Sequence, residues 1–133
     1  MVGCDLLIVD DQAGVRRLLG EAFAAEGYRV EMAASGPEAI QKVLCKTPDV
    51  ILLDNKMPIM SGLETAQEIR KLNYHVPIVL MTAYGELDVA ARAKRLGIIH
   101  YVDKPFDLTE VRQLVKTLLI ESRYAGRYLE EIG

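Results

Sequence analysis

The 133-residue chain is 50% hydrophobic and 26% charged, enough for one domain with one core and too short for a second. Its formal net charge of −3 leaves no clustered excess of Lys and Arg for a phosphate backbone, so no direct contact with nucleic acid is expected. The longest apolar runs, such as Leu6–Val9 and Ile78–Met81, fall far below the roughly 20 residues of a membrane span, and no basic region opens a signal-type segment. Cys4 and Cys45 form neither a C-x-x-C pair nor a disulfide framework and read as packing residues of a reducing compartment. A soluble, cytoplasmic monomer or weak dimer is expected, with a domain over residues 1–120 and a tail over 121–133.

The elements alternate along the chain. A strand at Leu6–Val9 precedes a helix in which Val15, Leu18, Leu19, Ala22 and Phe23 keep one apolar stripe up to Gly27. Val30–Ala33 alternates in hydrophobicity and reads as an edge strand. Ser35 and Glu38 are spaced as a capping box, with Pro37 in the first turn, ahead of Ala39, Ile40, Val43 and Leu44. After a third strand, Val50–Leu53, a helix is expected from about Leu63 to Leu72, before Pro77. A fourth strand, Ile78–Met81, leads to a helix from about Glu86 to Leu96. The inward candidates of that helix, Ala90, Ala91 and Ala93, bury little area and make it the least firmly packed. A fifth apolar run, Ile98–Val102, precedes Asp107 and Glu110, a second capping pattern before Leu108, Val111, Val115, Leu118 and Leu119. Beyond Ile120, Tyr124, Tyr128 and Ile132 recur every four residues, as in a prolonged last helix or a contact surface for another chain. Strands alternating with helices in this way specify an α/β fold with a parallel sheet.

An open parallel sheet gathers the carboxyl ends of its strands at one crevice, where ligands bind. The first strand ends in Asp10-Asp11, the third in Asp54, the fourth in Thr82 and the fifth in Lys104-Pro105. Singly these read as a helix cap, a loop carboxylate, a turn former and a solvated charge; at one edge of one sheet they form a set. Three crowded carboxylates repel, and a raised pKa or a bound cation relieves them. Oxygen ligands without His or Cys favour a hard ion such as Mg²⁺. Asp54 is then a nucleophile for a phosphoryl group, with Lys104 balancing the transferred oxygens and the Thr82 hydroxyl donating to one of them. His75 and His100 read as ordinary loop or strand-end residues. A haloacid dehalogenase-type phosphatase would need a second Asp where Lys56 stands.

At Leu6-Leu7-Ile8-Val9-Asp10-Asp11, Leu52-Leu53-Asp54, Met57-Pro58-x-x-x-Gly62, Met81-Thr82-Ala83 and Lys104-Pro105-Phe106 the chain resembles the receiver domain of response regulators, over about residues 5–120. The resemblance implies a flavodoxin-like, doubly wound sheet of five parallel strands in order 2-1-3-4-5 with about five helices. It also implies phosphorylation on Asp54, Mg²⁺ held by Asp11, Asp54 and the Lys56 carbonyl with Asp10 acting largely through water, a switch through Thr82 and Tyr101, and a cis Lys104–Pro105 bond. Asn55 stands where the family usually has an apolar residue. A closer resemblance, to single-domain phosphorelay receivers of spore-forming bacteria, rests on Asp10-Asp11-Gln12, Arg16, Leu18-Leu19, Glu26-Gly27-Tyr28, Lys56, Thr82-Ala83-Tyr84-Gly85-Glu86-Leu87-Asp88 and Lys104-Pro105-Phe106-Asp107. It implies a relay intermediate, not an enzyme in its own right. A sensor histidine kinase would load it and a histidine phosphotransferase would unload it, with docking through Gln12, Gly14, Val15, Leu18, Tyr84 and Pro105. The alternative is the input domain of a larger transcriptional regulator, signalling by an interface change.

Overall fold

The computed structural model describes residues 3–73, 75–83 and 87–132, with Leu87 and 124–132 as backbone only. In chain order it forms β1 (Leu6–Val9), α1 (Ala13–Ala25), β2 (Val30–Ala33), α2 (Gly36–Cys45), β3 (Val50–Asp54), α3 (Gly62–Leu72), β4 (Ile78–Ala83), α4 (Leu87–Arg95), β5 (His100–Lys104) and α5 (Leu108–Ile132). The strands pair in parallel in the order β2-β1-β3-β4-β5, the expected doubly wound arrangement with β2 at one edge.

The period of two along the strands separates two cores. Leu6, Ile8, Val50, Leu52, Val79 and Met81 face Leu19 and Phe23 of α1 and Val111, Val115, Leu118 and Leu119 of α5. Their neighbours Leu7, Val9, Ile51, Leu53, Ile78 and Leu80 face Ala39 and Val43 of α2, Leu63, Ala66 and Ile69 of α3, and Val89 and Ala93 of α4. Each fully buried Leu, Ile, Val or Phe stabilises the fold by about 1.5–3 kcal/mol. These β1 and β3 residues are buried on both faces, which explains their unbroken apolar runs.

Helix starts follow their caps. The Ser35 hydroxyl accepts the Glu38 N–H at 3.3 Å, while the Glu38 carboxylate reaches back to the Ala34 N–H at 2.9 Å. Asp107 accepts the Thr109 N–H at 2.8 Å ahead of α5.

Three expectations are corrected. The fifth strand begins two residues later than its apolar run. Ile98 is buried, but its N–H closes the end of α4 on the Ala93 carbonyl while Gly97 sits at φ 71°, a left-handed C-cap that glycine adopts without strain. Ile99 is 70% exposed, and β5 is a second, half-exposed edge strand. On α4 the inward side chains are Val89 and Ala93, whereas Ala90 and Ala91 are exposed. Leu18 and Leu44, counted in apolar stripes, are 50% and 57% exposed and lie outside both cores.

Among the described residues, no helix is long and apolar enough to cross a membrane.

Candidate functional site

The carboxyl ends of β1, β3 and β5 bring one carboxylate cluster and one ammonium together. Single oxygens of Asp10, Asp11 and Asp54 all lie within 4.8 Å of one another, a group able to hold a metal ion. Asp10 and Asp54 are buried and Asp11 is exposed, so the cluster opens to solvent on one side. Lys104 Nζ stands 3.0 Å from Asp10 Oδ2 and 3.2 Å from Asp54 Oδ1. The acids outnumber the cation. Burial, reinforced by the Asp10 charge, pushes the Asp54 carboxyl up from 3.8 to about 6, against the pull of Lys104 and the Lys56 N–H. Burial alone would lower Lys104. Its hydrogen bond to Asp10 and the Asp54 charge outweigh that and hold the ammonium above its ordinary value.

Backbone bonds hold these groups in place. Asp10 Oδ1 accepts the Gln12 N–H at 2.9 Å, and the Arg16 guanidinium donates to the Asp10 carbonyl at 2.6 Å, fixing the turn from β1 into α1. Asp54 is the last residue of β3, followed by Asn55, whose N–H bonds the Met81 carbonyl of β4 at 2.9 Å. The first N–H groups of α3 would be unpartnered without help. The Asn55 carbonyl takes that of Gly62 at 2.8 Å, the Asn55 carboxamide takes that of Leu63 at 3.1 Å, and Ser61 and Glu64 close a capping box. This explains a polar residue where the family prefers an apolar one. The start of α3 lies so close to β3 that a Cβ on Gly62 would overlap the Asp54 carbonyl and the Asn55 Cα.

The segment between these fixed points contains an outlier. Ile59 has φ 70°, and the Met60 N–H bonds the Pro58 carbonyl across it at 2.7 Å. An i to i+2 bond around a positive φ is the strained form of the γ-turn. The left-handed region costs an L-residue about 1–2 kcal/mol, and a β-branched side chain is especially unsuited to it. Ile59 is also fully exposed.

The other expected site residues sort clearly. Thr82 is buried near the end of β4, opposite Asp103 of β5, and its hydroxyl lies 3.4 Å from the Asp103 carboxylate. The Lys56 side chain is exposed, and its N–H is 3.4 Å from Asp54 Oδ1. Tyr101 is 37% exposed, its hydroxyl 2.9 Å from the Ile98 carbonyl and 3.3 Å from that of Ala90 on α4. Gln12 and Gly14 are exposed at the start of α1, Val15 is half-buried and Pro105 is exposed after a cis bond from Lys104. Tyr84 lies outside the described residues, as do the side chains of Tyr124, Tyr128 and Ile132. Sequence reasoning missed the Asn55 cap, the Arg16 tie, Asp103 and the Ile59 turn. Of these, only Asn55, polar where the family usually has an apolar residue, left a visible signal.

Comparison with known proteins agrees with this geometry. Residues 6–116 match the model of the response regulator receiver domain. The chain is 43% identical over 119 residues to sporulation initiation phosphotransferase F of Bacillus subtilis (strain 168), covering 90% of this chain and 96% of that protein. It is 42% identical over 114 residues to the regulatory protein AtoC of Escherichia coli (strain K12), covering 86% of this chain but 25% of that one. Among solved structures, it superposes on a receiver domain protein of Methanospirillum hungatei JF-1 with a TM-score of 0.86 at 27% identity, covering 93% of this chain and 99% of the other. The chemotaxis protein CheY4 of Vibrio cholerae gives 0.81 at 28%, covering 88% and 99%.

Proposed function

Because this chain belongs to the response regulator receiver domain family, we propose that it is a phosphorelay intermediate. Asp54 takes a phosphoryl group from the phosphohistidine of a sensor kinase and yields it to a histidine phosphotransferase. The observation that carries this reading is the buried Asp54 carboxylate, held beside Lys104 and within one cluster with Asp10 and Asp11. The likeness to sporulation initiation phosphotransferase F over almost the whole of both chains supports the single-domain relay form.

The donor set fits a hard divalent cation: every side-chain ligand is a carboxylate oxygen, and two of the three acids are buried with one ammonium between them. Asp10, Asp11, Asp54 and the Lys56 carbonyl would hold Mg²⁺, which when bound neutralises charge on the carboxylates and on the phosphoryl oxygens. The chain's own residues do the rest. Asp54 attacks phosphorus, and a bond from its oxygen forms as the bond to the histidine nitrogen breaks. Lys104 balances one phosphoryl oxygen as a charge-assisted donor. Thr82 donates its hydroxyl to another, leaving Asp103, and that exchange with Tyr101 beside α4 forms the switch. Lys56 and Tyr84 flank the approach of water. Val15, Leu18, Gln12, Gly14, Tyr84 and Pro105 contact the partner helices.

Incubation with acetyl phosphate and Mg²⁺ followed by intact-mass measurement tests the reading. One phosphoryl group is expected on the wild type and none on Asp54→Ala. Labelling of Asp54→Ala at another carboxylate, or undiminished labelling in a chelator, would overturn it. A second reading, the input domain of a larger regulator, is favoured by the relatives of which this chain spans a quarter. Equal phosphotransfer by Leu18→Ala and wild type, with folding intact, would support output through α4 and β5 instead.

A further inference from the structure

Two consecutive residues of β5 carry opposite charges to the edge of the sheet where Asp54 stands. Side chains along a strand alternate between its faces, so Lys104 and Asp103 diverge. Lys104 reaches Asp10 and Asp54, whereas Asp103 stands directly opposite Thr82 in the register of β4 and β5. Its carboxylate lies 3.4 Å from the Thr82 hydroxyl, which is its one hydrogen-bond partner among the described residues. The fold does not account for an acid here. Asp is among the residues least suited to a strand, and this one is exposed, so it adds nothing to either core.

The chemistry of this contact makes it exclusive. An ionised carboxylate only accepts, so the single proton of the Thr82 hydroxyl is directed at Asp103. While it is, the same proton cannot serve an oxygen carried on Asp54. The surroundings agree with that state. Asp54 takes bonds from Lys104 and from the Lys56 N–H, while the Thr82 hydroxyl is turned sideways along the sheet to β5. Two residues before Asp103, and so on the same face of β5, the Tyr101 hydroxyl lies 3.3 Å from the Ala90 carbonyl of α4. Asp103 thus stands between the hydroxyl that a phosphoryl group would recruit and the part of the strand that meets α4.

We propose that Asp103 is a positioning residue that restrains Thr82: it holds the hydroxyl proton on the β5 side until a phosphoryl group on Asp54 competes for it, and so sets how readily the domain is loaded. One hydrogen bond is exchanged for another, and the loss of the first is subtracted from the gain of the second. Lys104 and Asp103, adjacent in sequence, then act in opposite senses, the ammonium drawing the phosphoryl group in and the carboxylate delaying it. The inference rests on the reading of Asp54 as acceptor and of Thr82 as donor to the phosphoryl group.

The test compares wild type, Asp103→Asn and Asp103→Ala for the rate of Asp54 labelling by acetyl phosphate with Mg²⁺, and for affinity toward beryllium fluoride, a non-transferable phosphoryl mimic followed by fluorine NMR. The same comparison is repeated in a Thr82→Val background, which keeps the shape of the side chain and removes its hydroxyl. Asp103→Ala should label about fivefold faster, roughly 1 kcal/mol off the barrier, and bind the mimic correspondingly more tightly. Asp103→Asn should fall between it and wild type, because a neutral carboxamide accepts more weakly than a carboxylate. With Thr82→Val the gain should disappear, and the urea midpoint should not fall in either Asp103 variant. An unchanged or slower rate for Asp103→Ala would overturn the proposal. So would a gain of the same size in the Thr82→Val background, since losing a negative charge would then merely favour an anionic donor. Failure of acetyl phosphate to label the wild type would instead strike the acceptor reading beneath it, and full-rate labelling of Thr82→Val would strike the donor reading.

Discussion

Two carboxylates are buried at opposite ends of the same sheet, and their surroundings drive them in opposite directions. Asp54, at the carboxyl end, shares one ammonium with Asp10, and its pKa is pushed up to about 6. Asp5, just before β1 at the amino end, has a side chain only 2% exposed. It accepts the Arg29 N–H at 2.7 Å and guanidinium bonds from Arg29 and Arg123 at 3.1 and 3.2 Å. Burial alone would raise it, but the bonds from Arg29 and Arg123 outweigh that and hold it below the usual carboxylate range. Arg123 also lies 5.6 Å from the Tyr28 ring centroid, which pins α5 against the same end. Burial is common to both acids, so burial alone does not mark a reactive group. The balance of charge around it does: a fully compensated acid fastens elements together, and an under-compensated one is open to a cation or an electrophile.

The largest expected effect breaks the amino-end clamp. Asp5→Asn should lower unfolding free energy by about 3 kcal/mol at pH 7, since removing one partner of a buried pair strands the others. Arg29 and Arg123 are half-exposed and regain water, which keeps the loss at the low end of that class. Urea unfolding measures it, and acetyl phosphate labelling of Asp54 should not change. Because the folded-state pKa of Asp5 is depressed, this stability is present above the unfolded value near 3.8 and is lost as pH falls through the folded one. A constant difference from wild type over pH 5–8 is expected, shrinking below about pH 4.

The next effect has the opposite sign. Asp54 binds its proton more tightly folded, at about 6, than unfolded, near 3.8, so the native state is favoured at low pH and loses stability as pH rises through that window. Asp54→Asn should therefore be more stable than wild type by about 2 kcal/mol at pH 7.5 in a chelator, with the gain vanishing near pH 4. Adding Mg²⁺ should stabilise the wild type and affect the variant much less. A destabilised Asp54→Asn under these conditions would mean that Lys104 already compensates the site.

The smallest effect concerns the lifetime of the phosphoryl group. Exposed Lys56, two residues after Asp54, has no general-base capacity when protonated and can only obstruct water. Lys56→Asn should speed phosphate release about tenfold, or roughly 1.4 kcal/mol off the barrier, followed as phosphate liberated from purified phosphoprotein. An unchanged rate would make Lys56 a spectator.

How far the sequence could be read depended on whether a residue's role was local. The continuous runs of β1, β3 and β4 and the polar residues closing the strands were legible, because burial on two faces and a shared carboxyl edge leave direct traces in order and type. The start of β5 was not. Ile98 is as apolar as a core strand residue, yet it is buried as the closing residue of α4, and that depends on the turn at Gly97. Arg123 was unreadable for a different reason. Its partner Asp5 is 118 residues away, and no periodicity connects the two. Ile59 left no trace because its conformation contradicts its own propensity.

The separation of the two cores has a consequence for how substitutions combine. Leu6 and Ile8 pack on one side and Leu7 and Val9 on the other, so among the described residues the two sets belong to separate apolar clusters joined through the strand backbone. Energetic losses from a truncation on the α1–α5 side and one on the α2–α3–α4 side should therefore add nearly linearly, whereas two truncations on one side share a cavity and couple. Each face of this domain can accumulate sequence change largely without reference to the other, with the polar edge of the sheet as their common constraint.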